Sequence, residues 1–209
     1  MLLGLTFSLY NKHYYNAMGG INKTIEELDT TQEDFDLLVD TLIKYFSNKS
    51  DKLQVTISIG GEKTEFFKED ELSHMQDAKN AFNAAIGIGI ACLALAAAGI
   101  VYLLLHAPKI IAKGLITGNL VYICILVITG IIAAVFFEPI FILFHQIFFP
   151  QGNWNFGYTN MMIFMQENLF LNAMVIVVAT GVLFAASSIL LGVLLIKKEE
   201  NLDRVKSKK

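Results

Sequence analysis

Three stretches of this chain, residues 81–105, 115–137 and 169–196, contain no Asp, Glu, Lys or Arg. Each is longer than the ~20 residues with which a helix crosses a hydrocarbon core about 30 Å thick. A buried helix in a water-soluble protein rarely stays uncharged for so long, so all three are predicted membrane spans. Residues 1–10 are also apolar, but as a helix they reach only about 14 Å. They lack the basic start and small-residue cleavage site of a secretion signal. They read as the outer part of a first span whose inner half is missing; the alternative is a short helix lying in the interface.

Between residues 11 and 80 the pattern changes. Thr30 and Thr31 precede Glu33 and Asp34, a capping residue followed by acids in a first turn, which is how helices start. Phe35, Leu38, Val39, Leu42 and Tyr45 then recur at helical spacing. Leu53, Val55, Ile57 and Ile59 alternate with polar residues, and Gly60-Gly61 returns the chain into residues 64–67, a hairpin signal. So small a segment cannot bury a large core alone, so it should rest on the helix ends. The expected fold class is an all-α integral membrane bundle of four spans, the first truncated, carrying a small extracytoplasmic α+β cap.

Charge orients this arrangement. Residues 1–82 hold 14 acids and 8 bases; residues 106–114 hold Lys109 and Lys113 and no acid. Residues 138–168 hold Glu138 and Glu167 and no base, and the tail 197–209 holds 6 bases and 3 acids. The excess of Lys and Arg places 106–114 and the tail in the cytoplasm. Alternation then sets the cap (11–80) and the aromatic-rich segment 138–168 together outside. The chain is 55% apolar, with a mean hydropathy of +0.54. A net charge of −3 gives no support to nucleic-acid binding. Cys92 and Cys124 fall inside spans, with neither a disulfide framework nor a zinc spacing.

Chemistry concentrates at the span boundaries. Glu71, His74 and Asp77 recur every three residues just before the span at 81–105, a spacing that puts them on one helix face. A carboxylate beside an imidazole raises its pKa and can fix its tautomer, while burial against Phe66 and Phe67 opposes the rise. The same three residues also suit a solvated helix face. His145 stands among Phe137, Phe141, Phe144, Phe148, Phe149, Trp154 and Phe156, with Glu138 two helical turns earlier. An interfacial aromatic belt accounts for the rings but not for an ionisable group among them. Tyr14 and Tyr15 read equally well as belt residues or as hydrogen-bonding groups of a site. His13 is a weaker candidate, and His106, before Pro108, is an ordinary boundary residue. The spans carry no central charge, which argues against ion-coupled transport.

Two blocks, Glu-x-x-His-Met-x-Asp at 71–77 and Phe-His-x-x-Phe-Phe-Pro-x-Gly-x-Trp at 144–154, resemble the bacterial lipoprotein intramolecular transacylase family, Lit. The resemblance extends over most of the chain, with a tyrosine-bearing stretch after the first span. It departs from the family pattern at Asp70, where a basic residue is common, and at Ala78, where valine is usual. An acid commonly stands at the outer start of the last span, where this chain has Glu167 but Asn172.

The resemblance implies a four-span cell-membrane enzyme with its site at the outer cap–membrane boundary. It implies transfer of the sn-2 acyl chain of a diacylglyceryl-cysteine lipoprotein to the cysteine α-amino group, leaving a lyso-form lipoprotein. His74 and His145 occupy the family's two histidine positions and are the expected catalytic pair, one as general base and the other as general acid, with the assignment open between them. Around them the supporting or substrate-binding set is Glu71, Asp77, Tyr14, Tyr15, Phe67, Phe148, Phe149, Asn153, Trp154, Glu138 and Glu167. No metal or cofactor is expected; the partners are diacylglyceryl-modified lipoproteins and membrane lipid. Two other readings compete. One is a metal-dependent membrane hydrolase ligated by Glu71, His74, Asp77 and His145, residue types that suit zinc. The other is a membrane sensor or accessory protein without catalysis.

Overall fold

The computed structural model describes residues 1–207; Lys208 and Lys209 of the basic tail lie outside the described residues. The chain divides into two compact units, residues 1–86 with 141–178, and residues 87–140 with 179–209.

In the first unit, α1 (Leu2–Tyr10) ends at Asn11, whose side chain accepts from the His13 and Tyr14 N–H groups and so caps α2 (Lys12–Ile21). After α3 (Thr24–Leu28), Thr31 accepts from the Asp34 N–H and starts α4 (Gln32–Phe46), which satisfies a helix-end donor. The apolar face of α4 is the core: Phe35, Leu38, Val39, Leu42, Tyr45 and Phe46 are all buried. Each large side chain taken from water there contributes about 1.5–3 kcal/mol. Gly19 on α2 permits the closest approach, since a Cβ there would lie 2.5 Å from Phe35 Cζ.

The hairpin forms from β1 (Thr56–Ile59) and β2 (Glu62–Glu65), antiparallel, with Ile57 opposite Thr64. Gly60 and Gly61 both take positive φ, 61° and 82°, as the tight turn that matches strand twist requires. The Thr30 hydroxyl donates to Ser58 O at 2.6 Å, and Asp34 accepts from the Ser58 N–H at 3.2 Å, so the start of α4 holds the hairpin. Phe66, Phe67 and Phe164 close the core, the last from α8 (Asn160–Phe164).

The first unit also holds the beginnings of two long helices, α5 (Glu69–His106) and α9 (Glu167–Lys206), and most of α7 (Phe137–Phe148). The second unit holds the rest of α5 and α9 and the whole of α6 (Pro108–Val135). The basic connection is therefore helical except at Ala107, because Pro108 takes the first turn of α6, where its missing N–H is no loss. Pro139 explains the break after α6: its ring would clash with the carbonyl four residues back, at Val135. Gly192 of α9 lets that helix touch α6, since a Cβ there would meet Ala112 O at 2.7 Å. Ile88, Leu95, Leu105, Val121 and Leu183 point outward, each more than half exposed. Among the described residues, three helices are long and apolar enough to cross a membrane. Continuous apolar surface on helices whose backbone bonds are all internal is what lipid contact demands. The molecule is an integral membrane helix bundle with a small mixed cap.

Candidate functional site: two imidazoles on one phenylalanine

Local sequence sets the first helix turn of the site. Glu71, at the third position of α5, is 1% exposed and its Oε2 accepts from the Lys68 N–H at 2.8 Å, half of a capping box. Its other oxygen is buried without a partner. Glu71 thus secures the start of the helix and faces the core. One turn on, His74 stacks on Phe149 at 4.2 Å between ring centres and meets Phe156 edge-on at 5.3 Å.

His145 sits in the last turn of α7 and its Nδ1 lies 2.7 Å from Phe141 O. A carbonyl can only accept, so Nδ1 is the donor in this contact, and Nε2 is the nitrogen left for other partners. His145 also stacks on Phe149 at 5.3 Å, with Trp154 at 4.9 Å and Phe141 at 4.0 Å. Because both imidazoles lie on Phe149, their ring centres are at most about 9.5 Å apart. The aromatic run selects this geometry: Phe149 is 5% exposed, and both imidazoles cover it.

The segment after α7 is tied back onto α5. Asn153 Nδ2 donates to Ser73 Oγ at 3.0 Å, and Gln151 Nε2 donates to Asp77 Oδ2 at a long 3.4 Å. Two polar atoms here are buried without partners, His74 Nδ1 and Asn153 Oδ1. Such groups cost free energy unless something pairs with them. Burial, and then the nearby His145, push the His74 pKa below the ordinary 6.5, while Asp77 and the Asn153 backbone oppose the fall. The folded protein therefore binds this proton less readily than the unfolded chain. His74 contributes stability fully present above pH 6.5, lost as pH falls through its folded value. Thermal unfolding followed from pH 7.5 to pH 5 should show a fall in Tm that a His74→Gln variant flattens.

The remaining sequence candidates divide. Phe149, Asn153, Trp154 and Asp77 gather around the histidines. Tyr14 donates its hydroxyl to Leu169 O and Tyr15 to Leu9 O; both are buried in the cap core, and Tyr15 stacks on Phe164. Phe67 is also core, packed edge-on against Phe66. Phe148 is 47% exposed beside Phe144. Glu167 opens α9 and lines a shallow pocket with Glu27, Tyr158 and Gln166. Glu138 is exposed in the first turn of α7 and belongs to the second unit. His13 is exposed, and His106 bonds Tyr102 O within the second unit. Phe156, one of the aromatics around His145 in sequence, packs on His74 instead; the sequence does not single out Ser73 or Gln151, and Ser73 carries a signal only as the neighbour of His74. Among the described residues, no three His, Cys, Asp or Glu side chains are grouped to hold a metal ion. The ligand set of the hydrolase reading is not assembled.

A family model described as lipoprotein intramolecular transacylase Lit matches residues 1–170. Among solved structures, the chain is similar to the membrane integral lipoprotein intramolecular transacylase Lit from Bacillus cereus, determined in meso. A form of that protein with a histidine-to-alanine mutation has a TM-score of 0.78 and 22% identity, covering 95% of this chain and 87% of that one. A second structure of it has a TM-score of 0.70 and 22% identity, covering 98% and 90%. A histidine-to-arginine form has a TM-score of 0.74 and 21% identity, covering 95% and 86%. No curated protein sequence matches the chain.

Proposed function

Because the chain belongs to the lipoprotein intramolecular transacylase family Lit, a family of acyltransferases, we propose that it converts diacylglyceryl lipoproteins to the lyso form. The sn-2 acyl chain of the diacylglyceryl-cysteine moves to the cysteine α-amino group. The observation that carries this reading is the pair His74 and His145, both stacked with Phe149.

The amine nitrogen attacks the ester carbonyl of its own molecule. The ring formed contains N, Cα, Cβ, S, two glyceryl carbons, the ester oxygen and the carbonyl carbon. No enzyme nucleophile is needed. His145, whose Nδ1 side faces Phe141 O, takes the proton of the attacking amine on Nε2. His74, kept neutral by burial, donates an N–H hydrogen bond to the oxygen that becomes negative, as a neutral imidazole does in other sites. The carbon–oxygen bond to the glyceryl group then breaks, and the departing alkoxide receives the proton held on His145. The products are an amide and a free sn-2 hydroxyl. Phe141, Phe149 and Trp154 supply aromatic walls against which the flexible lipopeptide folds, replacing entropy otherwise lost on ring closure.

The layout in this reading is four crossings with both termini in the cytoplasm. The cap (11–80) and residues 138–168 lie outside, so the site meets the outer leaflet. The acid-free 106–114 connection and the basic tail support that orientation. The test is mass spectrometry of N-terminal lipopeptides from cells with and without the protein. N-acylated, S-monoacylglyceryl peptides appear only where the protein is present. Unchanged lipidation in both would leave the sensor reading standing.

A further inference from the structure

Asn153 holds an acceptor with nothing to accept. Its Nδ2 is committed to Ser73 Oγ at 3.0 Å, which turns Oδ1 the other way, and Oδ1 is buried without a partner. An amide oxygen accepts hydrogen bonds and never donates. A buried acceptor left unpaired is costly, and only a donor can satisfy it. The place is not arbitrary. Ser73 precedes His74 in α5, and Trp154, next to Asn153, packs on His145 at 4.9 Å. Asn153 thus stands between the two imidazoles in connectivity, one bonded neighbour from each.

In the substrate of the proposed reaction, the carbonyl, ether and thioether groups only accept. The N–H donors near the reacting carbon are those of the cysteine α-amine and of the following peptide bond. The α-amine needs its lone pair aimed at the carbonyl carbon while one proton passes to the base. Its second proton is then free for a fixed acceptor. We infer that Asn153 Oδ1, oriented through Ser73, accepts a hydrogen bond from the cysteine α-amino group and aims its lone pair at the ester carbonyl.

This deepens the transacylase reading and rests on it. Asn153 touches substrate; Ser73 is a positioning residue that acts through Asn153. The arrangement also gives selectivity for a primary amine, because a nitrogen that is already acylated has only one proton and no nucleophilic lone pair.

The test uses the full-length protein in detergent with a synthetic diacylglyceryl-cysteinyl peptide, following N-acyl product against pH. Asn153→Ala removes the acceptor and should slow turnover about ten- to a hundredfold, the range of one hydrogen bond to a reacting group. Asn153→Asp keeps an acceptor and adds a negative charge beside the amine, whose ordinary pKa is about 8. It should remain active, with the limb of the pH profile governed by amine deprotonation moved upward by about one unit. Ser73→Thr should retain activity that Ser73→Ala loses. A folded Asn153→Ala protein turning over at the wild-type rate overturns the inference, and so does an active Asn153→Asp protein with an unshifted profile. Failure of the wild-type protein to form any N-acyl product would instead sink the transacylase reading itself.

Discussion

A His74→Ala, His145→Ala double variant loses N-acyl product, while a His106→Ala variant retains it. Proton transfer by a positioned side chain contributes about 10²–10⁴-fold, and this reaction needs a proton removed from nitrogen and one delivered to oxygen. If both imidazoles serve one transition state, each single change costs about that factor, and the double variant is far less impaired than the product of the two losses. Independent roles, such as one histidine gripping a headgroup elsewhere, would give losses that multiply. The measurement is turnover of a diacylglyceryl lipopeptide by the purified wild type, the two single variants, the double variant and His106→Ala, with Tm recorded to separate misfolding from lost chemistry. Thermal data matter for His74 in particular, since alanine there also removes its stack on Phe149.

Phe149→Ala is the second large effect, and it acts on both stability and activity. The ring is 5% exposed, stacks with both imidazoles, and lies edge-on to Phe144 at 6.2 Å. Truncating a buried phenylalanine costs about 3–5 kcal/mol through lost burial and the cavity left behind. The two histidines would also lose the surface that fixes their separation, and misplacement of reacting groups by about 1 Å can cost a hundredfold. Phe149→Leu fills much of the cavity without restoring a flat face. It should recover most of the Tm but only part of the rate. A Phe149→Leu protein as fast as wild type would show that the ring acts by volume alone.

Much of this arrangement was legible in the sequence because its signals are local. The uncharged stretches marked the long helices, and Thr31 with Asp34 marked the start of α4. Gly60-Gly61 marked the hairpin turn. The sequence does not show α2 because the adjacent Tyr14 and Tyr15 and the Gly19-Gly20 pair weaken the helical pattern. Asn11, which caps it, was the available clue. Glu71 was read as sharing a face with His74, as three-residue spacing allows. Its side chain also turns back to the Lys68 N–H, as a glutamate three residues after a helix cap does. That capping role depends on where the helix begins, which spacing alone does not fix.

The site was half legible. His74 and His145 stood out as titratable groups at apolar boundaries, but 71 residues separate them in sequence. No local pattern could show that Phe149 lies against both. Tyr14 and Tyr15 were open between belt and site. Their hydroxyls are taken by the backbone carbonyls of Leu169 and Leu9, a role visible only once the chain is folded. Ser73 and Asn153 form a hydrogen bond 80 residues apart in the chain, which again only tertiary structure reveals.

The central claim is that one molecule's amine takes its own acyl chain at a single site holding both imidazoles. A crossover experiment tests it most directly. Two diacylglyceryl lipopeptides of different peptide mass, one with a deuterated sn-2 chain, are mixed with the purified protein, and the N-acyl products are read by tandem mass spectrometry. The account predicts that each peptide carries only its own chain on the cysteine nitrogen. Deuterated acyl groups on the unlabelled peptide, or release of free fatty acid in place of amide, would contradict it.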